Sequence, residues 1–243
     1  MSLRKFLNKF LKLINIIRSQ NYLKKLFQGV PASTEHHKIL STLKNVNTVI
    51  DVGANKGQFA IVANNLFKSN IYCFEPLSKP FKLLSKIFGK QSNLHLFNIA
   101  IGQKIKKARI NISYHDDSSS LLPIGSNQLK IFPKTGKVGS EHISIYTLDY
   151  FLKNKKINFQ ENVLLKIDVQ GYEYDVLKGA ESSLELVKYI YIEVSFLELY
   201  SGQKLSDDIS LFLIKKGFKL KSIHNISYFN NLSVQADFLF ERP

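Results

Sequence analysis

Thr48-Val49-Ile50-Asp51-Val52-Gly53-Ala54-Asn55-Lys56-Gly57 is the stretch on which the reading of this chain turns. Val49, Ile50 and Val52 are apolar and β-branched, so the segment predicts a short buried strand of a parallel sheet. The strand closes on an acid, Asp51, and runs into two glycines, Gly53 and Gly57. From Gln58 the pattern turns helical through Phe59-Ala60-Ile61-Val62-Ala63. Strand, glycine turn and helix in that order put backbone N–H groups and a helix N-terminus at the carboxyl edge of the sheet, where open α/β sheets bind ligands. Glycine is needed because a Cβ would hold a ligand off the backbone or forbid the φ angles of the turn.

What the turn lacks narrows the ligand. A nicotinamide or flavin fingerprint needs G-x-G-x-x-G, and Asn55 stands where the second glycine would approach a pyrophosphate. A P-loop needs Lys-Ser or Lys-Thr after its last glycine, whereas Gln58 follows Gly57. Asp-x-Gly-x-x-x-Gly, with its acid Asp51 on the strand, suits a ligand with a cationic amino-acid part and no phosphate. Ile71-Tyr72-Cys73-Phe74-Glu75-Pro76 then predicts a second strand ending in Glu75, placed to take ribose hydroxyls. Together these features point to S-adenosyl-L-methionine.

The rest of the chain extends this layout. Glu35 to about Leu43 reads as a helix leading into the first strand, with the adjacent His36 and His37 as surface residues. Leu77 to Phe88 reads as a helix stopped by Gly89, and Asn93 to Ala100 as the third strand, with Asn98 and Ala100 at its carboxyl end near the adenine base. Lys107 to Tyr114 and Glu141 to Tyr146 predict strands of an excursion over the ligand edge, as a lid or substrate wall. Val163 to Val169 is a central buried strand with Asp168 at its end, followed by the turn Gln170-Gly171 and a helix from Tyr174 to Leu186. Tyr189 to Val194 is a strand ending near Glu193, Asp207 to Lys216 a helix stopped by Gly217, and Phe218 to Ile223 with Ala236 to Glu241 a closing antiparallel pair. The expected fold is a seven-stranded, mostly parallel Rossmann-like sheet with an antiparallel last strand and helices on both faces.

The chain has 243 residues, 44% hydrophobic and 22% charged, enough for one α/β domain with a full core. Its single cysteine, Cys73, excludes a disulfide framework and a cysteine-based zinc site and fits a reducing compartment. No H-E-x-x-H or comparable cluster marks a metal. The net charge of +15 is concentrated partly at the N-terminus, where residues 1–34 hold no acid but carry Arg4, Lys5, Lys9, Lys12, Arg18, Lys24 and Lys25 among apolar residues at helical spacing. That pattern is too interrupted to span a bilayer and lacks a signal-peptide cleavage site. Residues 1–30 are therefore expected to form a basic amphipathic arm and residues 31–243 the domain. The arm suits an anionic membrane surface, holding a cytoplasmic protein through residues 1–28 at the inner face of the membrane, or packing on protein.

Three groups of residues carry a family resemblance. They are Asp51-Val52-Gly53-Ala54-Asn55-Lys56-Gly57, the Phe74-Glu75-Pro76 tripeptide, and Lys166-Ile167-Asp168-Val169-Gln170-Gly171-Tyr172-Glu173 with Val176-Leu177-Lys178-Gly179-Ala180. On these the chain resembles the FkbM family of class I methyltransferases, over residues of about 46 to 241. Ser118-Ser119-Ser120-Leu121, Thr147-Leu148-Asp149, Ile192-Glu193-Val194-Ser195-Phe196 and Asp237-Phe238-Leu239-Phe240 agree with it. The resemblance implies S-adenosyl-L-methionine-dependent O-methylation of a hydroxyl on a sugar, a lipid-linked glycan or a related natural product, leaving S-adenosyl-L-homocysteine. Asp51, Gly53, Ala54, Asn55 and Gly57 would hold the methionine part. Glu75 and Pro76 would meet the ribose, and Asn98 and Ala100 the base. Asp168, Glu193 and Glu173 are the catalytic candidates, with Ser119, Ser120, His142 and Gln170 toward the acceptor.

Two other functions compete. A nucleic-acid methyltransferase suits the charge, but Asp168-Val169-Gln170-Gly171 lacks the Pro-Pro-aromatic turn of base amino-methylation. A non-catalytic partner in a glycan-assembly complex would make the arm the useful part, although the acids and glycines of the site are intact. A divalent cation between neighbouring carboxylates would polarise a hydroxyl, and no dedicated motif supports one.

Overall fold

The computed structural model describes residues 19–89, 91–157 and 162–243. Thr48–Val52 (β1) and Val163–Ile167 (β7) are buried along their whole length, as strands covered on both faces must be. They form the centre of a seven-stranded sheet. Its further members are Asn70–Phe74 (β2), Leu94–Phe97 (β3), Val187–Ser195 (β8), Lys219–Phe229 (β9) and Leu232–Glu241 (β10). The order is β3-β2-β1-β7-β8-β10-β9, and β10 runs antiparallel to both of its neighbours. The reversal between β1 and β7 opens the crevice at the carboxyl edge that a doubly wound sheet uses for ligands. This is the expected seven-stranded, doubly wound Rossmann-like sheet with an antiparallel last strand.

Two apolar layers sandwich the sheet. On one face Val49 and Leu164 pack with Phe59 and Ile61 of α3 (Gln58–Leu66) and with Leu84 and Phe88 of α4 (Ser78–Phe88). On the other, Ile50, Val52 and Ile167 pack with helices α6 (Leu148–Asn154), α7 (Glu173–Lys178) and α8 (Ser206–Lys215). Strand alternation therefore turns Asp51 toward the α3 layer with Val49, a fact that decides its role below.

Three elements differ from expectation. Asn93 to Ala100 is not one strand. The chain leaves the main sheet after β3, because the Asn98 side chain donates to the carbonyls of Glu75 and Pro76, both at 2.9 Å. Ala100–Ile101 (β4) then joins a separate sheet, ordered β4-β6-β5, with Lys106–Ser113 (β5) and Lys137–Tyr146 (β6). The helix expected to reach Leu186 stops at Gly179, and a 3₁₀ turn covers Ser183–Leu186. The closing hairpin is longer than its apolar ends announced.

The N-terminal segment is split by what the structure describes. The expected arm residues 1–18 lie outside the described residues. Gln20–Phe27 (α1) is helical, with the Ser19 side chain accepting from Tyr22 N at 3.4 Å. Tyr22 and Val30 are buried in the α3 layer. Lys25 donates from Nζ to the Ile87 carbonyl at 2.9 Å, beside the Phe88 ring, and so satisfies a terminal carbonyl of α4. Residues 20–30 thus pack on the domain. After them come a 3₁₀ turn, Thr34–His36, and a single helical turn, α2 (His37–Leu40). Among the described residues no helix is long and apolar enough to cross a membrane.

Tyr22→Ala should therefore destabilise the whole domain by about 3 kcal/mol, the cost of emptying a buried aromatic site. Urea unfolding reads this directly. A midpoint unchanged from wild type would mean that α1 is not part of the cooperative unit.

Candidate functional site

The carboxyl ends of β1, β2, β7 and β8 surround a cavity of about 360 Å³, within the range of small-molecule sites. Its first wall is the β1–α3 turn. Gly53 N and Ala54 N both donate to Phe74 O at 3.0 Å, which folds the turn against β2. Gly53 has φ +81°, and a Cβ there would lie 1.8 Å from the Asp168 carbonyl oxygen. No side chain fits between the two strand ends.

Glu75 closes the next corner. Its Oε2 accepts from Asn55 N at 2.9 Å and its Oε1 from Leu77 N at 2.8 Å, so one carboxylate ties the β1 turn to the start of α4. Burial raises its pKa to about 7, against the lowering effect of those two amides. Phe74, Pro76, Leu77, Ala100 and Ile101 give this side an apolar lining.

Beneath the turn lies a buried cation. Lys166 Nζ donates to Gly53 O at 2.9 Å, sits 3.0 Å from Asp51 Oδ1 and 3.8 Å from Asp168 Oδ2, and lies over the Phe59 ring. Burial disfavours its charge, but the carboxylates of Asp51 and Asp168 outweigh that and hold the ammonium above its ordinary value. Burial likewise pushes the Asp51 carboxyl up, with Lys166 opposing.

The opposite wall is built on the β7–α7 turn. Gln170 has φ +55° and Gly171 φ +97°, a left-handed pair that swings the Gln170 side chain over the strand ends. Its Nε2 donates to Asp168 Oδ1 and to Glu193 Oε2, both at 2.9 Å, while its Oε1 accepts from Tyr200 Oη at 2.8 Å. One amide thus holds two acids side by side. Burial, then the nearby Asp168, pushes the Glu193 carboxyl well above the usual carboxylate range. Glu173 accepts from Val169 N at 3.1 Å and Gly171 N at 3.0 Å, fixing the turn. The 116–121 segment of the small sheet covers the cavity. It is held by Ser120 Oγ on Gln170 O at 2.6 Å and by the Lys56–Asp116 ion pair at 2.7 Å.

Of the residues expected at the site, Gly53, Ala54, Asn55, Glu75, Pro76, Ala100, Asp168, Glu193, Ser119 and Gln170 line one cavity. The others lie elsewhere. Asp51 is fully buried below the turn, facing Lys166. Gly57 begins α3 and packs against Leu84 and Phe88. Asn98 braces the β2 end, Glu173 holds the β7 turn and Ser120 clamps the lid. His142 stands exposed on β6, 3.3 Å from Arg109, away from the cavity. Among the described residues no three His, Cys, Asp or Glu side chains are grouped as a metal site requires.

The sequence reading missed one cluster on the cavity wall. His36 is not a surface residue. Its ring packs edge-on against Phe59 and Tyr191, and its Nδ1 lies 2.9 Å from Tyr191 Oη. Tyr191 Oη donates to Asp237 Oδ2 at 2.8 Å, and Asn225 Nδ2 donates to the same oxygen at 2.7 Å. The buried lysine in Val163-Leu164-Leu165-Lys166-Ile167 and the acid in Asp237-Phe238-Leu239-Phe240 were the sequence signals available. A charged residue inside an apolar strand needs a partner.

The model of the Methyltransferase FkbM domain matches residues 51–220. The 2-O-methyltransferase NoeI of Sinorhizobium fredii is 28% identical over 207 residues, covering 80% of this chain and 84% of that protein. The hexuronic acid methyltransferase AglP of Haloferax volcanii is 27% identical over 180 residues, covering 71% and 69%. The magnesium protoporphyrin IX methyltransferase of Synechocystis PCC 6803 superposes with a TM-score of 0.45 at 10% identity, over 84% of this chain and 74% of that one.

Lys166→Met should destabilise the protein by about 3–5 kcal/mol, because Asp51 is left as an uncompensated buried acid. Adding Asp51→Asn should recover part of that loss in chemical denaturation. Equal stability of wild type and Lys166→Met would show the pair to be dispensable.

Proposed function

The chain belongs to the Methyltransferase FkbM domain family, and on that premise we propose that it is an S-adenosyl-L-methionine-dependent O-methyltransferase acting on a sugar hydroxyl. The observation that carries this reading is the single cavity where the Gly53–Asn55 turn, Glu75 and the Asp168–Gln170–Glu193 cluster converge. The residues present fit the donor. The cradle at Gly53 admits no Cβ, Glu75 offers a carboxylate to a ribose diol, and the Phe74–Leu77 side offers apolar contact to a base.

The donor, when bound, supplies an already activated methyl group. What the chain must add is in-line placement of the acceptor oxygen and exclusion of competing water. Asp168, the more open of the paired acids at 39% exposure, accepts from a hydroxyl neighbouring the reacting one, and Gln170 keeps it and Glu193 in register. The lid residues Ser119 and Leu121 close the acceptor side.

The charge of the cavity separates acceptor classes. Asp117, Asp168 and Asp237 face it, with Asp116 offset by Lys56 and the lining lysine, Lys166, already engaged by Asp51. An acidic cavity in a chain of net charge +15 repels phosphate and carboxylate acceptors. That disfavours nucleic acid and favours an uncharged glycoside. The relatives, a 2-O-methyltransferase and a hexuronic acid methyltransferase, bracket the choice. A panel of methyl glycosides and uronates with labelled donor tests it, with methyl incorporated into the neutral sugars expected and methylation of uronates alone contradicting it.

The basic residues of the N-terminal segment are assigned to an anionic membrane face, where a lipid-linked glycan would be met. Five of the basic residues lie within residues 1–18 with no acid among them. A chain lacking residues 1–18, which spares Tyr22 and Val30, should lose binding to anionic vesicles and keep turnover of a soluble glycoside. Unchanged vesicle binding would assign the segment to protein packing.

Donor-site chemistry has its own pH signature. With the free Glu75 carboxyl raised to about 7, ribose binding by the carboxylate requires loss of its proton below that pH. Affinity for S-adenosylhomocysteine should therefore fall by up to about tenfold per pH unit below 7 and level off above it. Calorimetry on wild type and Glu75→Gln should show weaker binding and no such slope in the variant. A wild-type affinity flat from pH 5.5 to 8 would remove Glu75 from the donor site.

A further inference from the structure

The acceptor hydroxyl is a weak acid, and its proton needs a destination. Resting on the reading above, we propose that His36 is the proton acceptor of the methyl transfer, held in its working tautomer by Tyr191, Asp237 and Asn225. The ring lines the same cavity as Asp168 and Glu193.

The hydrogen-bond pattern fixes the tautomer. Tyr191 Oη gives its one proton to Asp237 Oδ2, so the phenol oxygen accepts from its remaining neighbours. Asn225 Nδ2 lies 3.3 Å from that oxygen and 3.4 Å from His36 Nδ1, both long beside its 2.7 Å bond to Asp237 Oδ2, so the 2.9 Å contact between Nδ1 and the phenol oxygen decides, with Nδ1 as the N–H donor. Nε2 is then the bare nitrogen, and it has no hydrogen-bond partner among the described residues. The side chain is 17% exposed, enough to meet a ligand in the cavity but too enclosed to rotate freely between Phe59 and Tyr191.

The surroundings suit a base that starts neutral and ends charged. Burial lowers the pKa of His36 below its ordinary value, while Asp237, Glu35 and Asp168 favour the imidazolium and Lys166 opposes it. Asp237 Oδ2 stands 3.6 Å from Nδ1, so the charge formed on the ring has a counter-ion in place. Burial, followed by Asp237, holds the Tyr191 phenol far above its usual range, and it therefore remains a donor. In the step, the acceptor O–H proton passes to His36 Nε2 and the oxygen forms its bond to the methyl carbon. The carbon–sulfur bond breaks with its electron pair left on sulfur, and the proton returns to solvent from the imidazolium. His36 contacts the acceptor; Tyr191, Asp237 and Asn225 are positioning residues.

Histidine 15N–1H correlation spectra of the intact, ligand-free protein, assigned through His36→Gln, read the tautomer without turnover. At pH 7.5 the His36 signals should show a protonated Nδ1 and a bare Nε2, with both features scrambled in Tyr191→Phe. A proton resident on Nε2 would overturn the proposal. His36→Gln should bind S-adenosylhomocysteine within about threefold of wild type, yet lose on the order of 10²- to 10⁴-fold in kcat toward the neutral glycoside. Asp237→Asn, which keeps the shape of the cluster but not its charge, should lose kcat and shift the acid limb of the pH profile downward. Retention of kcat within threefold in His36→Gln would end the idea. Should that variant fail to fold, the wild-type tautomer and the Tyr191→Phe and Asp237→Asn profiles decide it. Failure of wild type to bind S-adenosylhomocysteine would instead strike the underlying cofactor reading.

Discussion

One buried ion pair ties the molecule's two ligand-facing turns together. Lys166 enters from β7, Asp51 from β1, and the Lys166 ammonium also reaches the carbonyl of Gly53 in the turn above. Neither charge can exist alone at that depth, since burying an unpaired ion costs several kcal/mol. Their pairing therefore fixes the β1 and β7 ends relative to each other. Gly53 lies so close to the Asp168 carbonyl that the approach is possible only without a side chain. The β1–α3 turn and Asp168 are thus a single rigid unit rather than two loops that happen to adjoin.

A second constraint is built on top of that unit. Asp168 and Glu193 repel when both are ionised, and left to themselves they would separate into solvent. Gln170 prevents this by donating one amide hydrogen to each, with its carbonyl held by Tyr200 and its backbone carbonyl by Ser120. The same residue is therefore bonded to the reacting edge, the lid and the β8 side. Its left-handed backbone, which a non-glycine residue adopts only at a cost, is stabilised by Glu173 taking the amides on either side of it. Strain at the turn and order in the acid pair have the same source.

This architecture explains which parts were legible in the sequence. β1, β2 and β7 are short apolar runs buried from both sides, and such runs announce themselves in any register. The β9–β10 hairpin is half exposed along residues such as Asn225, Ile226 and Ser227, so its outer half carries no apolar pattern to read. The site divides along a similar line. Gly53, Glu75 and Asp168 stand at strand ends, where position alone predicts proximity to ligand. Asp51 and Glu173 are acids at those same ends but point into the protein, and only the strand's alternation and the turn's hydrogen bonds reveal it. His36 was unreadable for a different reason. Its partners on β8, β9 and β10 are 155 to 201 positions away, and nothing local to His36-His37 distinguishes the buried ring from its neighbour.

The distribution of functional groups over the chain has a consequence for how the fold can vary. The turns that suit the donor and the paired acids all lie within residues 51–220, the span shared with the family. His36, Asn225 and Asp237 lie on either side of it, on a 3₁₀ turn and a hairpin that meet over the cavity only because β10 inserts between β8 and β9. A donor site must keep one shape, because its ligand does not change. An acceptor site must follow its substrate, and elements outside the shared span can be exchanged without disturbing the Lys166–Asp51 unit. The cavity is therefore assembled from both parts, with Asp168 and Glu193 from inside the shared span meeting His36 and Asp237 from its flanks.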